Sequence, residues 1–346
     1  MKISAPASKT TARQNLVTVL AQEILSGTYD PKFPIPSEHQ LCRRFGVSRV
    51  TVRLALSDLQ NRGLIYRHHG KGTFIHGTTK LGGKPLAILM RSPEQGACPS
   101  LSLFLRGLQL YLSEAETYSV SVGLSPALWS PSMASSLGGV LVIPDGVTAT
   151  DLDNLRKRNL PYLIYGGADL PGPSVRIGAE AAVYEAVLTL ASRGRQRFGF
   201  IRSKASHHES LKEQGIVKAL TQAGLGSAAL TEIVCAPTCL EISRAAERML
   251  DQTPPPDVVL TSEPVHTLAI LNAARERKLV IGQDIHVIHF GDQAPDQTMH
   301  PEVTIIQLSL IEGGKKAAEA LCRTSLLAQP LESISLPYQI HWATGA

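Results

Sequence analysis

The stretch SRVTVRLALSDLQNRGLIYRHHGKGTF, residues 48–74, decides the fold of the amino-terminal part of the chain. In its first half, Val52, Leu56 and Leu59 recur at helical spacing and form one apolar stripe. Ser48 stands directly before this pattern, where a helix N-cap is expected. The second half contains two β-prone runs on either side of a glycine-containing turn. The stretch therefore predicts a helix that is followed at once by a short hairpin.

Two further helices are predicted upstream of this stretch. Residues 14–27 are amphipathic, with Gly27 as the expected stop. Ser37 and Gln40 have the spacing of a capping box, which predicts the start of a second helix. Gly46 then makes the tight turn into the helix of the quoted stretch. The order helix, helix, turn, helix, hairpin is that of a winged helix-turn-helix domain, an α+β fold.

Basic residues on the last helix and at the hairpin tip indicate DNA binding. Arg49 and Arg53 are four residues apart and share a face away from the apolar stripe. The planar guanidinium group suits guanine edges and phosphates. The alternative interpretation of this arginine pair is an ordinary solvated helix face. The neighbouring turn and hairpin favour DNA, because each lies where a winged helix needs it. His68 and His69 alternate faces on a strand, so at most one points at DNA, and we favour His69.

Residues 33–74 closely resemble the winged-helix domain of the GntR family of bacterial transcription factors. The resemblance rests on Pro36-Ser37-Glu38, Phe45-Gly46-Val47-Ser48-Arg49, Thr51-Val52-Arg53, Gly63-Leu64-Ile65 and Gly70-Lys71-Gly72-Thr73-Phe74. It implies that the third helix and the wing tip read DNA. The residues expected to bind DNA are then His39, Ser48, Arg49, Thr51, Arg53, His69, Gly70 and Lys71. Of these, His39 takes a position where related proteins often have an arginine.

Length and composition agree with a multidomain globular protein. The chain has 346 residues, which suggests two or three domains. The formal net charge of +5 is mild, but the basic residues cluster between Arg43 and Lys80. No run is long and apolar enough to span a membrane, and the amino terminus lacks the apolar core of a secretory signal. We therefore expect a cytoplasmic protein with a disordered segment at residues 1–11.

The five cysteines are scattered, and an odd count without a signal peptide indicates reduced thiols. Cys235 and Cys239 could form half of a metal site or a redox pair. No Cys or His cluster follows at ligand spacing, so structural thiols are favoured. We expect neither a metal nor a cofactor.

The pattern changes after a Gly/Thr/Lys linker at residues 77–84. Unbroken apolar runs then alternate with helical stretches, which predicts an α/β domain of parallel sheets covered on both faces. The strands expected are 85–90, 118–124, 139–143, 161–165, 197–202, 257–261 and 285–290. The helices expected are 101–116, 148–159, 179–193, 208–223, 240–252 and 264–278. This number of elements splits into two lobes, with a ligand cleft between the carboxyl ends of the strands.

Residues 84–342 look like the effector domain of LacI/GalR-type repressors, which is itself similar to periplasmic sugar-binding proteins. The resemblance rests on Gly194-Arg195-Gln196-Arg197-Phe198-Gly199-Phe200-Ile201, Gly215-x-x-x-Ala219-Leu220, Pro256-Asp257-Val258-Val259, Gly282-Gln283-Asp284-Ile285 and Pro301-x-Val303-Thr304-Ile305. The predicted organisation is a winged helix at 12–76, a linker at 77–84, and a two-lobed domain for effector binding and dimerisation at 85–342.

Several sugar-binding positions of that family are exchanged in this sequence. Lys212 stands where an arginine is usual, and Ser262-Glu263 replaces Asn-Asp. Lysine keeps the charge but loses the planar fork. The polar residues expected at strand ends, and so the candidates for effector binding, are Ser92, Asp145, Lys212, Glu263, Asp292 and Gln307. For each, the alternative is a solvated loop or a hydrogen bond between lobes. Trp129 either stacks on a sugar or anchors a buried loop, and the loop anchor is favoured.

These observations predict a homodimeric transcriptional regulator. The resemblance to the two families implies that it is a repressor. It would bind a palindromic double-stranded DNA operator, and a small molecule in the cleft, a sugar or sugar derivative, would control its affinity. A vestigial or non-sugar effector site is the alternative. An enzyme is disfavoured because the sequence contains no GxxxxGK[ST], nucleophile-elbow or HExxH motif. A transport-type binding protein would need a signal peptide and no winged helix.

Overall fold

The computed structural model describes residues 12–25, 28–68, 70–75, 84–91, 99–166, 170–203, 207–291, 300–327 and 330–344. The predicted disordered segment, Gly27 and all of the linker except Lys84 lie outside these ranges, as do the candidate site residues His69, Ser92 and Asp292.

Three helices and a hairpin form the amino-terminal domain. They are α1 (Ala12–Leu25), α2 (Glu38–Phe45), α3 (Arg49–Asn61), β1 (Ile65–His68) and β2 (Gly72–Ile75). The two strands pair antiparallel. The small core takes one apolar stripe from each helix, and Leu16, Leu41 and Leu56 in it are almost fully buried.

Local signals place the helix ends where the sequence predicts them. The Ser37 hydroxyl accepts a hydrogen bond from the Gln40 backbone, and the Gln40 side chain accepts one from the Ser37 backbone, which confirms the capping box. Ser48 caps α3 by accepting from the Thr51 backbone, as predicted. Gly46 ends α2 with φ of 64°, a left-handed conformation that glycine adopts without strain. The tight turn sets α3 against α2.

In the described part of the remaining chain, the strands form two six-stranded sheets. The strands of the first sheet are β3 (Leu86–Leu89), β4 (Ser119–Val122), β5 (Gly139–Val142), β6 (Tyr162–Tyr165), β7 (Ser174–Arg176) and β13 (Ile334–Ser335). Those of the second are β8 (Phe198–Arg202), β9 (Leu230–Val234), β10 (Val258–Thr261), β11 (His286–Gly291), β12 (Thr304–Leu308) and β14 (Tyr338–His341). The first sheet has the strand order β13-β7-β6-β5-β3-β4, and the second has the order β14-β12-β11-β10-β8-β9.

Helices cover both sheets, and central strands such as Val258–Thr261 are buried along their whole length. The helices are α4 (Pro99–Glu114), α5 (Pro131–Ser136), α6 (Ala149–Lys157), α7 (Ala179–Ser192), α8 (His207–Gln222), α9 (Cys239–Leu250), α10 (Pro264–Glu276) and α11 (Leu310–Leu327). The predicted α/β architecture with two lobes is confirmed. Trp129 is buried and donates its indole N–H to the Leu124 carbonyl at 3.1 Å, so it anchors a loop. In the described part of the chain, no helix is long and apolar enough to cross a membrane.

Within the described residues, the chain passes between the two lobes three times. The links have one or two residues and lie between β7 and α7, β12 and α11, and β13 and β14. Each link leaves the carboxyl end of a parallel strand, so the carboxyl edges of the two sheets lie beside each other. The sheets are parallel as predicted, except at one edge of the second sheet, where β14 pairs antiparallel with β12. The chain enters the second lobe from its carboxyl edge after β13, and β14 must therefore run against the strands that end there.

Candidate functional site

The solvent face of α3 carries the two predicted arginines. Arg49 and Arg53 are both exposed, and 65% of the Arg53 side chain is accessible. The Nε of Arg53 donates to Oε2 of Glu38 at 2.9 Å, while Nη2 of Arg67 lies 3.7 Å from Oε1 of the same carboxylate. Glu38, at the start of α2, therefore connects α3 to β1, the first strand of the hairpin.

Ser48 and Thr51 sit at the amino-terminal end of the same helix. Their hydroxyl oxygens lie 2.9 Å apart, and the Ser48 hydroxyl also accepts the Thr51 backbone N–H at 3.2 Å. Ser48 is exposed and Thr51 half-buried. The cap therefore leaves a hydroxyl group at the helix end, where backbone donors favour a phosphate oxygen.

The wing presents its tip to solvent. Gly70 and Lys71 are exposed between β1 and β2, and the Lys71 backbone N–H donates to the His68 carbonyl at 3.0 Å. Tyr66 and Phe74 stack across the hairpin with ring centroids 5.8 Å apart, which stiffens it. His39 is exposed on α2.

Sequence reasoning missed three residues of this surface. Glu38 and Arg67 form the ion-pair bridge described above. Val50, the second residue of α3, is 67% exposed beside Arg49. The sequence signal for Arg67 is its place in the basic run Arg67-His68, but the bridge through Glu38 joins residues far apart in sequence.

Ion pairs hold the three helices beneath this surface. Arg13 on α1 contacts Asp58 on α3 through two hydrogen bonds, with Nε to Oδ2 at 2.7 Å. Arg44 on α2 pairs with Glu23 on α1. Hydrogen bonding from Arg44 lowers the pKa of the Glu23 carboxyl, against the opposing effect of burial. These ion pairs join α1 to α3 and α1 to α2, and so they fix the helices that carry the basic face.

Lys212 occupies a different setting from the one its sequence suggests. It lies on α8 with its residue 0% exposed. Its ammonium donates to Glu209 Oε1 at 2.8 Å and to the Ser262 carbonyl at 3.0 Å, and it lies 4.5 Å from the centroid of the Phe290 ring. Lys212 therefore ties α8 to the carboxyl ends of β10 and β11, and its contact with an effector stays a prediction.

Glu263 follows β10 and holds the N-cap position of α10 without a side-chain capping bond. Its side chain is half-buried. Burial raises the pKa of the Glu263 carboxyl, and the nearby Glu209 raises it further, against the opposing effect of Lys212. Lys212 and Glu263 thus belong to one cluster, since the carbonyl that Lys212 binds immediately precedes Glu263.

The other described candidates are Gln307 and Asp145. Oε1 of Gln307 lies 2.8 Å from Nε2 of His341, so its amide oxygen is engaged by the antiparallel edge strand. Asp145 follows β5 in the first lobe and is half-buried. Both residues stand at carboxyl ends of strands, as the sequence predicts.

A buried carboxylate in the first lobe was missed. Asp151 is 2% exposed, and it accepts hydrogen bonds from Arg91 at 3.0 Å and from the hydroxyls of Ser125 and Thr148. Burial alone would raise the pKa of Asp151, but these hydrogen bonds and the Arg91 charge together hold it below its usual value. Arg91 directly follows the predicted strand 85–90, which was the available signal for a polar group at that strand end.

A polar network lies within the second lobe. The ring of His266 lies 3.2 Å from the Ser262 hydroxyl and 3.6 Å from the Cys235 sulfur. Burial lowers the pKa of His266 to about 4, with a further contribution from Lys212, so the imidazole is neutral at pH 7. Burial also raises the pKa of the Cys235 thiol. Cys235 is buried and Cys239 exposed, and within the described ranges no three His, Cys, Asp or Glu side chains are grouped to hold a metal.

Comparison with known families agrees with this geometry. Residues 12–75 match the model of bacterial regulatory proteins of the gntR family, and residues 187–341 match a periplasmic binding protein-like domain. The chain joins a GntR helix-turn-helix domain to a periplasmic-binding-protein-like domain. The resemblances seen in the sequence are thereby confirmed.

Relatives match either the first domain or, at lower identity, most of the chain. The HTH-type transcriptional repressor NagR of Bacillus subtilis is 50% identical over 56 residues, 16% of this chain and 23% of that protein. This chain spans about a quarter of the length of the relatives that it matches at this level. The arabinose metabolism transcriptional repressor of Halalkalibacterium halodurans is 22% identical over 329 residues, 87% of this chain and 86% of that protein.

Solved structures share the fold of the two-lobed domain. A LacI family transcriptional regulator from Enterococcus faecium, solved with bound ribose, superimposes with a TM-score of 0.62 at 17% identity. The match covers 75% of this chain and 97% of that structure. At this identity the likeness establishes the architecture of both lobes.

Proposed function

We propose that this protein is a sequence-specific DNA-binding transcriptional regulator whose affinity for its operator is controlled by a small molecule. The observation that carries the proposal is the exposed arginine pair, Arg49 and Arg53, on the recognition helix of a GntR domain. The wing tip with Lys71 stands beside it, so two basic elements can contact the major groove and the flanking backbone together.

The proposed DNA contacts follow from this placement. Arg49 and Arg53 donate to base edges or phosphates, and Ser48 and Thr51 donate to phosphate at the start of α3. Lys71 and Gly70 approach the backbone or the minor groove, as does His69, and His39 lies beside the helix. Two copies of the chain would place two such surfaces on a palindromic operator, because two-fold protein symmetry matches two half-sites.

The proposed effector site lies at the carboxyl edges of the two sheets, where open α/β sheets bind ligands. The relatives named for arabinose metabolism and the regulator solved with ribose make a sugar or sugar derivative the first class to test. Asp145, Lys212, Glu263 and Gln307 are the proposed polar contacts, together with Ser92 and Asp292. Effector binding would bias the two lobes between arrangements with different spacing of the winged helices. Since the relatives named for arabinose metabolism are repressors, we expect the effector to relieve repression.

A non-sugar effector, or none, is the second candidate, and the Lys212 geometry favours it. Lys212 already has a carboxylate, a carbonyl and an aromatic ring as partners. A sugar hydroxyl that used this ammonium would have to displace one of them. A neutral ligand would therefore gain little interaction energy from the Lys212 ammonium.

DNA binding is tested with a duplex selected from a random library by the full-length chain. Arg49→Ala should weaken binding to that duplex about 5- to 100-fold, the loss of one bidentate base contact. Arg244→Ala is the matched control, because Arg244 is an exposed helical arginine of the two-lobed domain. Equal affinities of the two variants in a fluorescence anisotropy titration would reject the assignment of α3.

Effector binding is tested by thermal shift with pentoses, hexoses and their phosphates. A ligand at 100 times its dissociation constant stabilises the folded state by about 2.7 kcal/mol. A shift that Glu263→Gln diminishes would support the sugar site. A flat response across all of these compounds would favour the second candidate.

A further inference from the structure

The recognition helix has an apolar centre on its exposed face. Val50 is 67% exposed, and Leu54, one turn later, is 45% exposed. The buried stripe of α3 consists of Val52, Ala55, Leu56 and Leu59. With about 100° per residue, Val50 and Leu54 fall within about 30° of the direction opposite that stripe. They point away from the domain, and Ser57 and Asn61 continue the same outward face with polar side chains toward the end of the helix.

The arginines lie on one side of this centre. By the same geometry, Arg49 and Arg53 stand about 70–110° from the outward direction. When a helix lies in the major groove, the centre of its outward face meets the base edges, and long side chains beside it reach either base edges or the backbone. Residues near the helix start make most base contacts, and Val50 is the second residue of α3.

The chemistry of the major groove offers one apolar feature to such a side chain. Of the four bases, only thymine presents a methyl group there, on C5. A valine carries two methyl groups close to the backbone and is stiff at χ1, so it can meet a thymine methyl with little loss of freedom. Leaving it exposed to water in the unbound state has a cost that DNA binding would remove.

We infer that Val50 is a specificity-determining residue that reads the C5-methyl group of a thymine in each operator half-site. This rests on the proposed DNA-binding function and adds to it a base preference that the polar residues do not supply. A protein partner is the competing occupant of the apolar centre. The flanking positive charge and the position at the helix start favour DNA.

The test uses the full-length protein and its selected duplex. Each thymine is replaced singly by deoxyuridine, which keeps the base pair and removes only the methyl group. For the wild type, one thymine per half-site should be sensitive, with binding about 3- to 5-fold weaker on the deoxyuridine duplex, the loss of one buried methyl contact. Val50→Ala should bind the thymine duplex more weakly by a similar factor and should be insensitive to that replacement.

Val217→Ala is the matched control, because Val217 is a half-exposed helical valine of the two-lobed domain. It should keep the wild-type pattern at every thymine. The inference is overturned if no thymine is sensitive, or if Val50→Ala keeps the wild-type sensitivity. It is also overturned if Val50→Ala loses affinity equally on both duplexes, or changes only the oligomeric state. Failure of the wild type to select any duplex would instead reject the proposed function itself.

Discussion

The buried ion pair between Glu209 and Lys212 should be a major determinant of the stability of the two-lobed domain. Lys212 is 0% exposed and Glu209 is 4% exposed, and their charged atoms lie 2.8 Å apart. Glu209→Gln preserves the shape of the side chain but leaves a buried ammonium without its counter-charge. Breaking one side of a buried pair typically costs about 3–5 kcal/mol. For a domain of this size, that corresponds to a melting temperature lower by roughly 6–20 °C.

The chain contains a matched control for this experiment. Glu241 and Arg244 on α9 have the same i, i+3 spacing and a distance of 3.0 Å, but their side chains are 42% and 58% exposed. Water screens this pair, so Glu241→Gln should cost less than about 1 kcal/mol. Melting is followed by circular dichroism at fixed pH and salt. Equal melting temperatures for the two variants would refute the argument that burial makes the first pair important.

Three further predictions follow from the site geometry. Glu38→Gln should lower the preference for the selected duplex over a scrambled duplex by roughly 3- to 10-fold, because Arg53 and Arg67 lose the carboxylate that orients them. Affinities for both duplexes are measured by anisotropy titration at constant salt, and an unchanged ratio would contradict this prediction. Glu263→Gln should raise the melting temperature at pH 8, since burial raises the pKa of this carboxyl and its ionised form disfavours the folded state. The gain should vanish below about pH 4, where the carboxyl is protonated in both states, so a gain that persists there would have another cause. Gly107→Ala should destabilise the fold by about 1–3 kcal/mol in urea denaturation, because a Cβ there would lie 1.9 Å from the Ile311 carbonyl oxygen. Gly226→Ala is the control, because a Cβ at residue 226 would have no atom within 4 Å.

Local signals explain why the winged helix could be predicted closely. The capping box at Ser37, the turn at Gly46 and the cap at Ser48 each involve residues at most five positions apart. Such contacts depend on the order of neighbouring residues, which the sequence displays directly. The long apolar strands of the second part are equally visible, because buried parallel strands read as continuous apolar runs.

Short edge elements and long-range contacts could not be predicted in the same way. The strand β13 has only two residues, and the four residues of β14 (Tyr-Gln-Ile-His) lack the continuous apolar run of the central strands. The antiparallel direction of β14 follows from where the chain re-enters the second lobe. The spacing of Glu209 and Lys212 is visible in the sequence. Their burial depends on Ser262 and Phe290, which are 50 or more residues away. Sequence alone therefore predicted an effector contact for Lys212, because it does not show the partners that the fold brings to this side chain.

Contacts between residues far apart in sequence also bear on how the proposed DNA-binding face would discriminate among operator sequences. In the DNA-free domain, the carboxylate of Glu38 offsets part of the positive charge of Arg53 and Arg67. Attraction to any phosphate backbone is weakened by that negative charge, so non-specific binding is disfavoured. In the proposed complex, a correct operator would offer Arg53 acceptors at least as good as Glu38, and it would also place a thymine methyl against Val50. Each requirement penalises a wrong sequence rather than rewarding all DNA, which is how differences in affinity produce specificity. Removing the carboxylate and the valine together should therefore raise affinity for scrambled DNA while it lowers affinity for the operator.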